Sequence, residues 1–402
     1  MSPSHGDTDP RQISDGTATR RRAGPLDGLR VVELAGIGPA PFAAMLLGDL
    51  GADVVRVDRP EASPVGIAAA HDLTNRNKRS VLVDLKAPDG PGTVLSLAAR
   101  ADVLIEGYRP GVAERLGVGP RECRAVNPAL VYGRMTGWGQ DGPLAPRAGH
   151  DIGYIALTGA LGMIGAADGP PVVPANLLGD YAGGSLYLVV GLLAALLHAR
   201  LTGQGQVVDA AIVDGTTHLT AALRSLLAAG AWRDRRGSNL LDGACPYYTV
   251  YETGDGQYMA VGALEARFYG EFVHLLGLST DDLPDRHDTR QWPELRALFA
   301  ERFKAADRAE WTTVFDGTDA CVAPVLSLGE AARHPHLSVR GSLTEAHGTV
   351  QPGVAPRFSD TPGSLRLPPA LPGAHAAEVA RDWQVPALAV PQARSAVAGR
   401  GH

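Results

Sequence analysis

Two residues that can exchange protons stand at similar points in the chain. His150 is the centre of Gly-His-Asp, and Asp180 ends Leu-Leu-Gly-Asp. At each of them a loop rich in Gly and Pro gives way to an apolar run that predicts a helix. A side chain at a helix start has a fixed backbone and lies near unpaired N–H groups and the positive end of the helix dipole. An imidazole and a carboxylate held in this way could move a proton on and off an acidic C–H bond.

Each of these residues also has a structural interpretation. An Asp before an apolar helix is a favoured N-cap, which applies to Asp180 and equally to Asp151. His150 can be a loop histidine that bonds its neighbours. Glu265 begins the helix after a predicted hairpin, where the helix dipole favours a solvated glutamate. The residues alone do not separate these roles, and they do not show that His150 and Asp180 face each other.

A glycine-containing turn near the start of the chain suggests a dinucleotide site at first. Gly36 and Gly38 follow the first predicted strand, and Asp58 lies about 20 residues further on, where a ribose-binding carboxylate belongs. Pro41 replaces the third glycine of that motif, however, and Arg59 suits a phosphate better than a ribose. The pattern therefore favours a tight turn that serves another ligand.

Composition excludes several classes of protein. The chain has 402 residues, enough for two domains, and its net charge of -6 gives no footprint for nucleic acid. Three scattered cysteines argue against a disulfide framework or a zinc site and favour a reducing, cytoplasmic location. The longest apolar run, 183–197, is shorter than the roughly 20 residues that a membrane span needs, so we expect a buried helix and no membrane association. The polar residues 1–24 predict a disordered tail.

Strands and helices alternate through the first half of the chain. Valine-rich strands are predicted at 29–34, 53–58, 80–85, 103–106 and 130–135, with helices at 42–50, 92–100 and 121–126 between them. This alternation predicts an α/β fold built on a doubly wound parallel sheet. Further on we expect helices at 152–161, 181–201 and 217–229, and a strand at 206–213.

The second half has a different character. A hairpin at 247–252 and 257–261, followed by helices at 267–276 and 293–305, predicts a smaller α+β domain. Residues 321–325 and the Pro-rich stretch from Pro352 suggest a return towards the first domain. We expect a large α/β domain at 25–215, a linker helix and the small domain at 216–325, a return segment at 326–380 and a C-terminal tail at 381–402.

Several long blocks resemble the family III CoA-transferases. They are residues 25–60 (PLDGLRVVELAGIGPAPFAAMLLGDLGADVVRVDRP), NRNKRS at 75–80 and EGYRPG at 106–111. Within that family, four further blocks are similar to the α-methylacyl-CoA racemases: GRMTGWGQDGP at 133–143, AGHD at 148–151, NLLGD at 176–180 and GQVVDAAIVDG at 205–215. The blocks occur in the family's order between Pro25 and Pro362.

The resemblance implies roles for particular residues. His150 and Asp180 would be the two acid/base groups, and Glu265 would pair with His150. The CoA part of the substrate would lie along Arg59, Leu82, Val83, Asp84, Leu85, Gly107, Tyr108, Arg109 and Arg115, with the thioester against Gly149, Ile152, Gly153 and Tyr154. The resemblance also implies an interlocked homodimer, in which Glu265 reaches the partner's large domain. No metal or separate cofactor is expected.

The mechanism that follows is a proton transfer through an enolate at the carbon next to a thioester. Neutral His150 would remove the proton on one face while protonated Asp180 supplies one on the other, so partial burial must raise the pKa of Asp180. The backbone N–H of Asp151 would donate a hydrogen bond to the enolate oxygen. The alternative is a CoA-transferase in which Asp180 attacks the thioester. A dinucleotide-dependent oxidoreductase and a non-catalytic acyl-CoA-binding module also remain open, and the acyl chain is not specified.

Overall fold

The fold was analysed on a computed structural model that describes residues 23–60 and 66–389. Most of the predicted N-terminal tail and the end of the C-terminal one therefore lie outside the described residues. In the described part, a six-stranded sheet carries helices on both faces, a three-stranded sheet forms the centre of a smaller domain, and a final segment crosses back to the large sheet.

The large sheet is entirely parallel and has the order β3-β2-β1-β4-β5-β6. The doubly wound α/β fold that the sequence predicts is confirmed. The direction of winding reverses between β1 and β4, and in such sheets ligands bind in the crevice at that reversal, beyond the carboxyl ends of the strands. The strands are β1 Arg30–Leu34, β2 Asp53–Asp58, β3 Lys78–Leu82, β4 Val103–Glu106, β5 Val131–Thr136 and β6 Val207–Ala211.

Both faces of this sheet are covered because its strands carry apolar side chains on each side. Val32, Leu34 and Leu104 pack into one core cluster, whereas Val31 and Ile105 pack into another. Burial on both faces is typical of parallel strands. The helices of this domain are α1 Pro39–Asp49, α2 Gly90–Ala98, α3 Val112–Arg115, α4 Pro120–Val126, α5 Asp151–Leu157, α6 Leu186–Thr202, α7 Ile212–Leu219 and α8 Ala221–Ala228.

A π-helical segment, Leu177–Ser185, precedes α6 and is continuous with it. The interpretation of Asp180 as an N-cap is therefore wrong, because the helix already begins at Leu177 and Asp180 lies in its first turn. A π-helix has a wider turn than an α-helix and is frequently found at functional sites. Glycines let neighbouring backbone approach it closely: a Cβ at Gly183 would collide with the Thr216 hydroxyl on α7.

The joined helix, Leu177–Thr202, is long and apolar enough to cross a bilayer by length and composition, the one such helix in the described ranges. Only 44% of its apolar window is buried, and the buried face packs against β5 and β6. The prediction of a wholly buried helix is thus wrong. Its other face exposes Leu186, Val190, Leu197 and Leu201, which we call the α6 stripe.

The smaller domain is held together by aromatic side chains. Its sheet contains β7 Tyr248–Glu252, β8 Tyr258–Gly262 and β9 Val322–Pro324, all antiparallel. Phe272, Phe299 and Phe303 are fully buried between this sheet and α9 Ala266–Leu275, α10 Trp292–Lys304 and α11 Arg308–Phe315. The sequence suggested that residues 321–325 begin the return to the large domain. They instead belong to the small domain, because β9 pairs with β8 as the third strand of its sheet.

The return segment is bound to the large domain through Asn77. It contains α12 Leu328–Ala331, α13 Pro335–Arg340, the hairpin β10 Leu343–Ala346 and β11 Thr349–Pro352, and α14 Ala376–Asp382. The Asn77 side chain donates to Asp49 Oδ1 and to the Ser364 carbonyl, and it accepts from the backbone N–H groups of Arg366 and Leu367.

The expected C-terminal tail begins too early in the sequence interpretation. Trp383, Val385 and Leu388 are buried in the core cluster of the large sheet, and the Trp383 indole donates to Asp53 Oδ2. Residues 381–389 are therefore part of the large domain. The alternating polar and apolar residues of this short stretch gave no long periodic pattern from which its docking could be predicted.

The Asn77 bonds generate a stability prediction. We expect Asn77→Gly to lower the free energy of unfolding by about 3 kcal/mol, because it leaves several buried polar partners without a bond. Asn77 has φ 58°, so Asn77→Ala should cost roughly 1 kcal/mol more through backbone strain. Urea denaturation followed by fluorescence measures both values. An Asn77→Gly midpoint equal to that of the wild type would contradict this role.

Candidate active site

A cleft opens at the reversal point of the large sheet. Its walls are the loops that follow β1, β4 and β5, together with the segment before α5 and the start of the π-helix. The lining residues are Ile37, Gly38, Pro39, Ala40, Gly107, Tyr108, Arg109, Pro110, Met135, Thr136, Gly137, Trp138, Ala145, Arg147, Gly149, His150, Tyr154, Asp180 and Ile212.

His150 and Asp180 lie in this same cleft, which the sequence could not show. His150 is the N-cap of α5 with an extended backbone, φ -136° and ψ 167°, and it is exposed. Asp180 lies on the first turn of the π-helix and is partly buried. The two side chains are close enough for the imidazole to affect the ionisation of the carboxyl.

Both the carboxyl and the backbone N–H of Asp180 make a hydrogen bond to a neighbouring side chain. Asn176 Nδ2 donates to Asp180 Oδ2 at 3.1 Å, and the backbone N–H of Asp180 donates to Asp151 Oδ1 at 2.7 Å. Gly38 has φ 72°, and a Cβ at this position would lie 3.2 Å from Asp180 Oδ2. A glycine is required here for the backbone conformation and for the close approach.

Burial raises the pKa of Asp180, and the neighbouring Asp151 carboxylate raises it further. The Asn176 hydrogen bond and the His150 side chain act in the opposite direction but do not cancel the effect. The expectation that partial burial raises the pKa of this group is confirmed. A raised pKa favours the protonated form of this carboxyl, which is the form that can donate a proton.

Several of the residues assigned to CoA by resemblance line the cleft. They are Gly107, Tyr108, Arg109, Gly149 and Tyr154. The loop after β4 is fixed from below, because the Tyr108 N–H donates to the buried Glu106 carboxylate at 2.6 Å, and Glu106 also pairs with Arg134. The Glu106–Arg134 ion pair therefore supports the loop that forms one wall of the cleft.

Arg59 and Arg115 lie near this loop without lining the described cleft. Arg59 donates to the Ala35 carbonyl, and its guanidinium is 5.7 Å from the Tyr108 ring centre. Arg115 is exposed at the end of α3. Arg59 therefore lies beside Tyr108, and Arg115 lies next to Gly111 at the end of the same loop.

Other assigned residues lie elsewhere. Leu82 is the last residue of β3 and Val83, Asp84 and Leu85 follow it, and the side chains of Val83 and Leu85 are buried in the core. Ile152 and Gly153 lie in the first turn of α5 and do not line the cleft. Glu265 is the exposed N-cap of α9 in the small domain and is not among the cleft-lining residues of its own chain.

The sequence interpretation assigned Tyr154 to the thioester but missed Trp138, the second ring of the aromatic wall of the cleft. The Tyr154 ring occupies a slot between Gly137 and Gly149, where a Cβ on either glycine would overlap the ring. Trp138 packs edge-on against it with ring centres 4.7 Å apart. The signal in the sequence was the pair of glycines that flank Trp138 and His150, which allow a large ring to approach the backbone.

The dinucleotide interpretation fails at Asp58. Its carboxylate accepts from Arg56 Nε at 2.8 Å and from the Ser80 hydroxyl at 2.6 Å, and the residue is 9% exposed. Both of its oxygens thus already accept a hydrogen bond within the sheet, which gives this buried carboxylate a structural role. Within the described ranges, no group of three His, Cys, Asp or Glu side chains is arranged to hold a metal ion.

Comparisons with known proteins identify the family. The model of the CoA-transferase family III matches residues 26–376. The human alpha-methylacyl-CoA racemase is 44% identical over 89% of this chain and 93% of its own length, and the human succinyl-CoA:glutarate CoA-transferase is 30% identical over 89% and 86%. A crystal structure of a CAIB/BAIF family protein from Brucella suis superposes with a TM-score of 0.78 at 29% identity, covering 90% of this chain and all of that one. The chain belongs to the CoA-transferase family III.

Proposed function

We propose that this protein is an α-methylacyl-CoA racemase, an isomerase that inverts C2 of 2-methyl-branched acyl-CoA thioesters. One observation carries the proposal: His150 and Asp180 line one cleft together with the loop of Tyr108 and Arg109. The 44% identity to the human racemase supports the same activity. Inversion requires one base on each face of the reacting carbon, and the cleft supplies two.

The proton balance is closed by these two groups. Neutral His150 takes the C2 proton, the electron pair moves into the thioester carbonyl to form an enolate, and protonated Asp180 returns a proton to the opposite face. The enzyme then holds an imidazolium and a carboxylate, which is the state needed for the reverse reaction. The N–H of Asp151 has no acceptor within α5 because Asp151 is the first residue of that helix, so it can receive the enolate oxygen.

The CoA group acts as part of the substrate, and the reaction needs no separate cofactor because only a proton is transferred. Arg59, Arg109 and Arg115 provide cations near the Tyr108 loop for the phosphates of CoA. Binding energy from this remote group can position C2 between the two bases. A methyl-branched acyl thioester as substrate would place the enzyme in lipid metabolism.

The acid/base role of Asp180 is favoured over the nucleophilic role of a CoA-transferase. Nucleophilic attack needs an ionised carboxylate, and the environment of Asp180 disfavours that form. A racemase, in contrast, needs the protonated form in one direction. The transferase remains the second candidate, since relatives at 30% identity carry that name.

We infer that the protein works as a homodimer. The α6 stripe leaves a row of large apolar side chains exposed on one helix face, with Val190 66% and Leu201 79% exposed. A contiguous apolar row of this kind marks a protein interface. Glu265 lies outside the cleft of its own chain, which supports its action on His150 of a partner.

Free thiols at Cys123, Cys245 and Cys321 fit a cytoplasmic location.

Isotope exchange tests the reaction. Incubated in D2O with either epimer of a 2-methylacyl-CoA and no acceptor acid, the wild type should incorporate deuterium at C2 and epimerise it. His150→Ala and Asp180→Ala should each lower epimerisation by about 1000-fold, because each removes one of the two bases. Chiral chromatography and mass spectrometry measure both signals.

His274→Ala and Asp316→Asn are matched controls for that experiment, since both residues are exposed in the small domain. They should retain wild-type exchange. A hydroxylamine-trappable adduct at Asp180, without deuterium incorporation, would instead identify a CoA-transferase.

The raised pKa of Asp180 predicts a pH-dependent stability. A carboxyl whose pKa is higher in the folded than in the unfolded state stabilises the fold below its unfolded pKa of about 3.9. That contribution is lost as pH rises through the folded pKa. Asp180→Asn should therefore unfold at a higher temperature than the wild type at pH 7, with the difference shrinking towards pH 4. Calorimetry at several pH values measures it, and a difference independent of pH would refute the assignment.

Complementation tests the cross-subunit role of Glu265. Chains carrying His150→Ala and Glu265→Ala are co-expressed with different tags, and the mixed dimer is purified. If Glu265 acts on the partner, one of the two sites keeps both residues, and the mixed dimer regains about half of the wild-type activity. If Glu265 acts within its own chain, or if the protein is a monomer, mixing restores nothing.

A further inference from the structure

We propose that the side chain of Asp151 is a positioning residue that sets the placement of Asp180 relative to His150 and supplies the negative charge beside it. This inference rests on the proposed racemase function. It concerns the carboxylate of Asp151, whereas the mechanism above uses only its backbone N–H.

The geometry connects the two bases through one residue. Asp151 follows His150 directly and is the first residue of α5, and it is only 7% exposed. Its Oδ1 accepts the backbone N–H of Asp180 at 2.7 Å. This hydrogen bond therefore joins α5, whose N-cap is His150, to the π-helical segment that carries Asp180.

The surrounding packing leaves this contact little freedom. A Cβ at Gly179 would collide with Asp151 Oδ1, so the carboxylate rests against bare backbone immediately before Asp180. Positioning of reacting groups is sensitive at this scale, since a displacement of about 1 Å can cost about 100-fold in rate. The hydrogen bond between Asp151 Oδ1 and the Asp180 N–H therefore helps to fix the distance between His150 and Asp180.

The second carboxylate oxygen of Asp151 indicates an electrostatic role in addition to the positioning role. Asp151 Oδ2 is buried and has no hydrogen-bond partner among the described residues. A buried carboxylate with one unpaired oxygen is costly to maintain for structure alone, because an amide could accept the same N–H bond. Its charge is poorly neutralised and acts on the adjacent carboxyl.

Among the described residues, Arg109 and Arg147 line the cleft together with Asp180. His150 and Asp151 affect its ionisation, Asn176 donates to it, and the Tyr154 phenol is near enough for Asp180 to raise the pKa of that phenol. Asp151 is the one acidic side chain among these neighbours. Removing its charge should therefore favour the ionised form of Asp180.

Two variants separate position from charge. Asp151→Asn keeps an oxygen that can accept the Asp180 N–H but removes the charge, so the acid limb of the pH profile of kcat/KM should move to lower pH by about 1 unit. Asp151→Ala removes both, and kcat should fall by about 100-fold with KM within about threefold of the wild type. Epimerisation is followed from pH 4.5 to 9 with both variants.

Asp209→Asn is the matched control. Asp209 also accepts a backbone N–H, from Gln140 at 3.2 Å, but it does not line the cleft or contact Asp180. It should leave the acid limb in place. Should Asp151→Ala not fold, the pH profile of Asp151→Asn still decides the question.

The outcomes distinguish this inference from the function on which it rests. An unmoved acid limb in Asp151→Asn, with a wild-type enzyme that epimerises normally, would overturn the role of Asp151 alone. A wild-type enzyme that exchanges no C2 proton would overturn the racemase function before any variant is compared.

Discussion

The candidate site depends on a close backbone approach that leaves no room for a Cβ. The π-helical segment lies against α7 and α5 through Gly183 and Gly179, and Gly38 touches the carboxyl of Asp180 from the opposite side. Interiors packed at this density do not yield to an added methyl group without a shift of the backbone. The position of Asp180 is therefore set by three glycines rather than by the length of its own side chain.

The sheet topology explains why these groups meet where a CoA thioester could bind. The reversal between β1 and β4 leaves their following loops without a covering helix, and this opening is the cleft. Buried ion pairs support both loops. Lys78 Nζ holds the Glu33 carboxylate and the Pro41 carbonyl below the first loop, and Glu106 holds the second. Removing one partner of such a pair leaves a buried charge, which is strongly destabilising.

The sequence predicted the large sheet well because its strands are short valine-rich runs buried on both faces. The observed strands agree with the expected ones to within about two or three residues at most ends. The π-helix could not be predicted, since Leu-Leu-Gly-Asp is compatible with either kind of turn and the choice depends on contact with α7. The same limit applies to Asp58, whose position suggested a ribose contact. Arg56 and Ser80, the residues that occupy its oxygens, lie on β2 and β3 and are recognised only in the folded sheet.

The electrostatics of Asp180 answer a general difficulty of racemisation at a thioester. Epimers at C2 differ little in energy, so proton transfer should be nearly balanced in both directions. An ordinary Asp and an ordinary His differ by about 2.6 pKa units, or roughly 3.5 kcal/mol, which would favour one protonation state of the pair. Burial of Asp180 and the nearby Asp151 charge reduce that difference by disfavouring the carboxylate. The Asn176 hydrogen bond and His150 act the other way, and the excess of burial over these two effects leaves the pKa of Asp180 above that of an ordinary Asp.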